Sequence, residues 1–431
     1  MAEEKKKTNR KKTASKKVEV KEEEKNVKEE KNVKEESKET EVVGFKLWEV
    51  IVVMIVTTLI GLFIGSYFTY SKYNGRRASC KSVRKDMEEI ASVYDDIVND
   101  FYGEIDKDEI KKSAIVGMVN GLGDKYSAYI DNDAATSLEE ELKGKFVGLG
   151  VQITGNDKGQ VYVMSVFEGS PADTFGIKPL DIITKVDNEE YTSDKINEMS
   201  KKIKSSKPGD KKTFEIMRDG KTLTIEVTLD EVILKSVNSY HVSRKDKQIG
   251  IMVISTFAEN TYDQVVEEYK KLKEVGISSL VLDFRGNGGG YLTSANDIAS
   301  LFLDKDMVIY RKTDGDKTEI IKNDKDKVID IPVVLLVDGA TASGSELVVS
   351  SLHENLNSEI VGTRTYGKGL VQKLQNIGEE KFIKYSVQEW LTSKGEKVEG
   401  VGIAPTIEIG FDESLDYDNQ LETAIDIAAN K

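Results

Sequence analysis

The chain has 431 residues, 39% of them hydrophobic, and 76 Asp and Glu outweigh 62 Lys and Arg to leave a net charge of −14. That balance excludes a general nucleic-acid binder, since nothing offsets phosphate repulsion. One cysteine, Cys80, excludes an internal disulfide and a multi-cysteine metal site, and two histidines, His241 and His353, limit any imidazole-based chemistry.

Residues 1–43 are almost wholly Lys, Glu, Asn, Ser, Thr and Val, and Lys25-Asn26-Val27-Lys28-Glu29-Glu30 repeats as Lys31-Asn32-Val33-Lys34-Glu35-Glu36. Such a tract buries too little apolar area to offset its ordering entropy. It reads as a solvated tail, or as a helix fluctuating on i,i+4 ion pairs. Val50 through Ser71 carries no charge. At 1.5 Å per residue this run covers about the 30 Å of a bilayer core. Trp48 flanks one side and Tyr67, Tyr70 and Tyr73 the other, as interfacial aromatics do. No A-x-A site follows, so an uncleaved anchor over 47–71 is preferred to a signal peptide. The lysine-rich tail favours a cytoplasmic N-terminus, while Lys72, Arg76 and Arg77 blunt that asymmetry.

Helical periodicity follows over 78–140, through Met87, Ile90, Val93, Tyr94 and Ile97 and then Ile115, Met118 and Val119. Between Phe146 and Leu229 short β-branched runs broken by glycine, with a helical stretch near 193–204, predict a small mixed domain. From 231 onward buried strands at Ile249–Ile254, Leu280–Phe284, Val333–Val337 and Glu359–Gly362 alternate with helices near 260–274, 292–303 and 344–354. This alternation predicts an α/β layer with much parallel pairing.

The run Pro332–Val337 reads as a buried strand, Asp338–Ala342 as a tight turn and Ser343-Gly344-Ser345-Glu346 as a helix start. A serine there either caps the helix, with Glu346 closing a capping box, or exposes its hydroxyl beside free amides that suit a developing oxyanion. Lys368 stands between Gly367 and Gly369 just after a strand. It is either a solvent-facing turn residue or, if buried, an amine that loses its proton easily enough to deprotonate a serine. Gln372, four residues on, offers an amide to orient it. His353 lies ten residues beyond Ser343 on one predicted helix, about 15 Å away and out of reach. His241 sits in a polar stretch and reads as a surface residue. A serine–lysine pair therefore fits better than a Ser-His-Asp triad.

A third turn, Asp283-Phe284-Arg285-Gly286-Asn287-Gly288-Gly289-Gly290, follows a buried strand. It lacks the spacing of a phosphate-binding loop. Its backbone N–H groups suit an oxyanion hole shared with Gly344, and Asp283 with Arg285 reads as a pair bracing the turn.

Together and in this order, these segments resemble the C-terminal processing peptidases, or tail-specific proteases. The Asp283–Gly290 turn resembles their Asp-hydrophobic-Arg-x-Asn-Pro-Gly-Gly. Thr341-Ala342-Ser343-Gly344-Ser345-Glu346 resembles their Ser-Ala-Ser-Ala-Ser-Glu, and Tyr366-Gly367-Lys368-Gly369-Leu370-Val371-Gln372 their Phe-Gly-Lys-Gly-x-x-Gln. The 25-residue interval from Ser343 to Lys368 also agrees. Elsewhere Ala114–Met118 and Tyr126-Ser127-Ala128-Tyr129 resemble the family's helical N-terminal region. Gly148-Leu149-Gly150-Val151 and Gly169-Ser170-Pro171-Ala172 resemble a PDZ domain, and Gly400–Pro405 the closing motif. Three positions depart: Gly288 replaces proline, Leu180 replaces a PDZ glycine before Asp181, and Gly344 replaces alanine.

The resemblance implies an α/β (α+β) multidomain protein. A helical region at 78–140 and a PDZ domain at 144–230 would precede a crotonase-like serine-peptidase core at 231–431. It implies Ser343 as nucleophile, Lys368 as general base, Gln372 as its orienting residue, and the amides of Gly289 and Gly344 as the oxyanion hole. It places the substrate's C-terminal carboxylate on Gly148, Leu149, Gly150 and Val151, with the next strand pairing with the peptide. No cofactor or metal is implied. Substrates would be proteins or peptides with exposed apolar C-termini, met outside the cytoplasm, and some relatives dimerise through parts equivalent to 78–140 and 414–430. Two other readings are a membrane-tethered PDZ scaffold that binds C-termini without cutting, and a crotonase-type enzyme acting on a thioester.

Overall fold

The computed structural model describes residues 83–315, 317–378 and 381–431. The tail expected at 1–43 and the anchor expected at 47–71 lie outside the described residues. Among the described residues no helix is long and apolar enough to cross a membrane. The chain divides between Lys107 and Asp108 into two compact units. In the first, a helix spans 83–100, and its Val83, Met87, Ile90, Val93 and Ile97 are exposed.

The second unit is built on a six-stranded sheet in the order Val237–Arg244, Lys247–Ile254, Ser279–Asp283, Val333–Val337, Glu359–Gly362, Ile407–Glu408. The first two strands are antiparallel and the rest parallel. Strands Ser279–Asp283 and Val333–Val337 are buried throughout because both sheet faces are covered. Alternate side chains serve opposite faces. Leu280, Leu282, Val333 and Leu335 join the core under helices Thr261–Val275, Leu292–Ser300 and Gly344–Leu356. Val281, Val334 and Leu336 pack on Ala424, Ile425 and Ala428 of the last helix, Asn419–Ala429.

A second, antiparallel sheet joins Ala128–Ile130, Lys381–Leu391, Val308–Thr313 and Thr318–Lys322, with Leu370–Gly378 paired to Lys381–Leu391. Ala128–Ile130 lies where the helical pattern was expected to continue; helices Lys107–Asn120 and Asn132–Lys143 flank it. The polar stretch around His241 is also a strand, with one side open to solvent, so its half-polar pattern is that of an edge.

Residues between these sheets form a separate six-stranded sheet with its own core of Val161, Val163, Ile183, Met199, Phe214, Ile216 and Val227. Its hairpin Lys211–Arg218/Lys221–Thr228 turns at Asp219-Gly220, both at positive φ, as a two-residue primed turn requires. Helix Ile196–Lys204 buries Met199 and Ile203 on it.

Candidate active site

Three chain turns meet at the carboxyl ends of adjacent parallel strands. The strand Val333–Val337 delivers Ser343 at the start of helix Gly344–Leu356, with φ +57° and ψ −115°. A non-glycine residue held in this region stores about 1–3 kcal/mol of strain, so its surroundings must over-determine it. They do. Asp338 accepts the amides of Gly286, Ala340 and Thr341 at 2.9–3.1 Å, and Thr341 Oγ1 donates to the Phe284 carbonyl at 2.9 Å. Ala342 N–H donates to the Asn287 carbonyl at 3.0 Å. The serine turn is thereby laced to the glycine-rich turn.

Glu346 is fully buried and does more than the capping expected of it. Its carboxylate accepts the Ser343 N–H at 2.8 Å, the Thr365 hydroxyl at 2.5 Å, and the amides of Gly367 and Lys368 at 2.8 and 2.9 Å. One side chain therefore fixes both the nucleophile candidate and the lysine turn. Its spacing from Ser343 signalled only a cap, because the other donors lie about twenty residues further on.

The lysine turn is equally satisfied. Trp390 Nε1 donates to the Lys368 carbonyl at 3.1 Å, and Gly369 N–H donates to Glu399 at 2.9 Å. Tyr126 also donates to Glu399, at 3.2 Å, and the Lys368 amine stands 5.4 Å from the Tyr126 ring centre. The lysine is half-buried. Burial pushes its ammonium below the ordinary lysine value and the charge of Lys384 adds to this, while Glu346 and Glu399 oppose it.

Ser343, Lys368, Gln372, Gly288, Gly289 and Lys384 line one cavity of about 680 Å³, walled by Leu138, Leu142, Leu292, Leu374 and Trp390. Neither histidine reaches it. His241 is exposed, and His353 Nδ1 lies 2.8 Å from the Ser358 carbonyl.

Two expected contacts differ. Gln372 was expected on the lysine amine, but its Nε2 donates to the Leu370 carbonyl at 2.8 Å and to Ser386 Oγ at 3.4 Å. The register shift between Val371 and Gln372 accounts for this, by turning the amide back on its own strand. Gly289 does abut the serine, since a Cβ there would stand 2.8 Å from Ser343 Cβ and 3.1 Å from Gly344 N. Its N–H, however, donates to Asn287 Oδ1 at 2.9 Å, an Asx turn that occupies the expected oxyanion donor. Gly344 N–H has no protein acceptor among the described residues. No hydrogen bond joins Ser343 Oγ to the Lys368 amine among the described residues, a spacing common in unliganded active sites.

Arg285 braces the glycine turn from behind. It meets Asp283 at 2.7 Å and Asp418 at 2.8 Å and donates to Gln420, so it also secures the last helix.

In the smaller domain Gly148 ends a strand paired to Asp230, Leu149 is buried, Gly150 has φ +79° and Val151 opens strand Val151–Gly155. The Leu149 and Gly150 carbonyls accept from Ala172 and Phe167, while their N–H groups have no protein acceptor among the described residues. Leu180 takes φ +72°, the conformation of the glycine it replaces, and Asp181 behind it is ion-paired to Arg218 at 2.6 Å.

Comparison with known proteins agrees with this layout. Residues 248–409 match the model of peptidase family S41, 147–229 that of the PDZ domain, and 56–134 that of the activating protease CtpB N-terminal domain. The carboxy-terminal processing protease CtpA of Bacillus subtilis is 32% identical over 361 residues, covering 83% of this chain and 75% of its own. The protein described as "Probable CtpA-like serine protease" of Staphylococcus haemolyticus is 31% identical over 390 residues, covering 90% of this chain and 77% of its own. Among solved structures, the photosystem II D1 C-terminal processing protease is 23% identical over 74% of this chain and 85% of its own, with a TM-score of 0.44. The chain belongs to peptidase family S41, as a serine-type C-terminal processing protease that carries a PDZ domain.

Proposed function

We propose that the chain is a membrane-anchored endopeptidase that cuts protein substrates near their C-termini, with Ser343 as nucleophile and Lys368 as general base. The observation that carries this reading is the pairing of their two turns on Glu346 at the rim of one cavity. Neutral Lys368 takes the hydroxyl proton as Ser343 Oγ attacks the scissile carbonyl. The new ammonium protonates the leaving amine, and water then hydrolyses the ester with Lys368 accepting its proton. Gly344 N–H receives the oxyanion, and Gly289 N–H joins it when the substrate oxygen displaces Asn287 Oδ1. Gln372, held on the Leu370 carbonyl, bounds the cavity beside the lysine.

The PDZ domain takes the substrate's C-terminal carboxylate on the Leu149 and Gly150 amides, and Val151–Gly155 pairs with the peptide. The segment 47–71 anchors the chain with its N-terminus cytoplasmic and 72–431 outside. The apolar stripe Val83, Met87, Ile90 and Ile97 suits a second copy held alongside by the same anchor, giving a homodimer.

The test is mass spectrometry of an unstructured peptide with an apolar C-terminus, incubated with the parent protein and with Ser343→Ala. The reading expects cleavage by the parent alone; identical products from both would sink it.

A further inference from the structure

Lys384 enters the active-site cavity from strand Lys381–Leu391, where it faces Leu374 on one neighbouring strand and Ala128 on the other. It is half-buried, and its amine has no hydrogen-bond or ion-pair partner among the described residues. Elsewhere on this sheet Lys312 meets Glu319 at 3.4 Å, while Lys373, on the neighbouring strand, lies over the Tyr385 ring at 6.0 Å. Its position puts an unpaired positive charge in the same cavity as Lys368.

The charges around Lys368 come from every element packed on it. Glu346 faces it from helix Gly344–Leu356, Glu399 from the loop after Lys381–Leu391, and Tyr126 from the segment before Ala128–Ile130, where Lys125 lies over the Tyr366 ring. Glu141 stands at the cavity wall on helix Asn132–Lys143. The two nearest carboxylates are already engaged, Glu346 by four donors and Glu399 by Gly369 N–H and Tyr126 OH. Among the described residues, Lys384 shares the cavity with Lys368 and has no ion-pair partner.

We propose that the Lys384 ammonium acts on the reaction through Lys368, disfavouring a second positive charge in the cavity and so leaving the Lys368 amine free to take the Ser343 proton. This rests on the Ser343–Lys368 reading above. Two ammonium groups lining one cavity repel, and at Lys368 this adds to the burial that already disfavours its charged form. Lys384 is then a positioning residue in the electrostatic sense, acting through Lys368.

The experiment follows kcat/KM against pH for the full-length protein on an unstructured peptide with an apolar C-terminus. It compares the parent with Lys384→Gln, Lys384→Met, Lys384→Arg and Lys368→Ala. Removing the charge at 384 should move the acidic limb to higher pH, lower activity at pH 7 by roughly tenfold and restore it in alkaline buffer, with KM unchanged. Lys384→Arg should keep the parental limb. Lys384→Met retains the apolar stem, so it reports even if the glutamine variant fails to fold. An unmoved limb overturns the proposal, whether activity falls equally at every pH, KM rises as for a substrate contact, or nothing changes. If Lys368→Ala stays active, the dyad reading itself fails; if it is dead while the limb stays put, only the role of Lys384 fails.

Discussion

Around Ser343 most backbone N–H groups of the three turns have an acceptor within the chain, and buried Glu346 alone takes four donors. In the PDZ loop the carbonyls of Leu149 and Gly150 are used but their amides are left open. The contrast separates two kinds of site. A turn that must hold a strained serine against a lysine is over-determined, so strain at φ +57° is tolerated. A loop that recognises a carboxylate keeps its donors for the ligand and depends on the fold beneath it only for shape.

Breaking the over-determined side should have the largest effect. Glu346→Gln puts an amide NH2 where two backbone donors point, so both turns shift. We expect cleavage to fall by about a hundredfold or more, the usual result of misplacing reacting groups by about 1 Å. Stability should drop by roughly 3 kcal/mol, because buried donors are left unpaired. Urea unfolding and peptide turnover measured on the same preparation check both halves; an active, stable variant would deny Glu346 its role.

On the PDZ side the effects should be confined to folding and substrate capture. Asp181 is 1% exposed, and Asp181→Ala strands the partly buried Arg218. A loss of about 3 kcal/mol is expected, visible as an earlier thermal transition and a raised KM with kcat little altered. A fall in kcat at constant KM would show that the two regions are coupled more tightly than this comparison holds.

The smallest effect sharpens the comparison at Leu180, which takes φ +72° while 78% exposed. Leu180→Gly should therefore stabilise the protein by about 1 kcal/mol through relief of that strain. Destabilisation by the same substitution would mean that Leu180 has a packing role.

Much of this was legible in the residues themselves. Continuous apolar runs such as Leu280–Leu282 and Val333–Val337 announce strands covered on both faces, and Gly289 and Gly367 announce turns that a side chain would obstruct. The strand around His241 escaped because an edge strand needs apolar residues on one face only. Ala128–Ile130 escaped because three residues between two helices carry no period. At the site, residue types and positions were readable but not which donor meets which acceptor. Asn287 takes the Gly289 amide and Leu370 takes the Gln372 amide, both local bonds that compete with the longer-range contacts expected. Glu346 was visible as a cap and hidden as a link, since helix spacing says nothing about a turn brought alongside from elsewhere.

The central claim is that Lys368, held below the ordinary lysine value by burial and by Lys384, is the base for Ser343. The most direct test is turnover of the apolar-tailed peptide by Lys368→Ala from neutral to alkaline pH, with its fold confirmed by thermal unfolding. The account predicts a folded protein with no measurable turnover at any pH. Near-parental turnover would contradict it and return Lys368 to an ordinary turn residue.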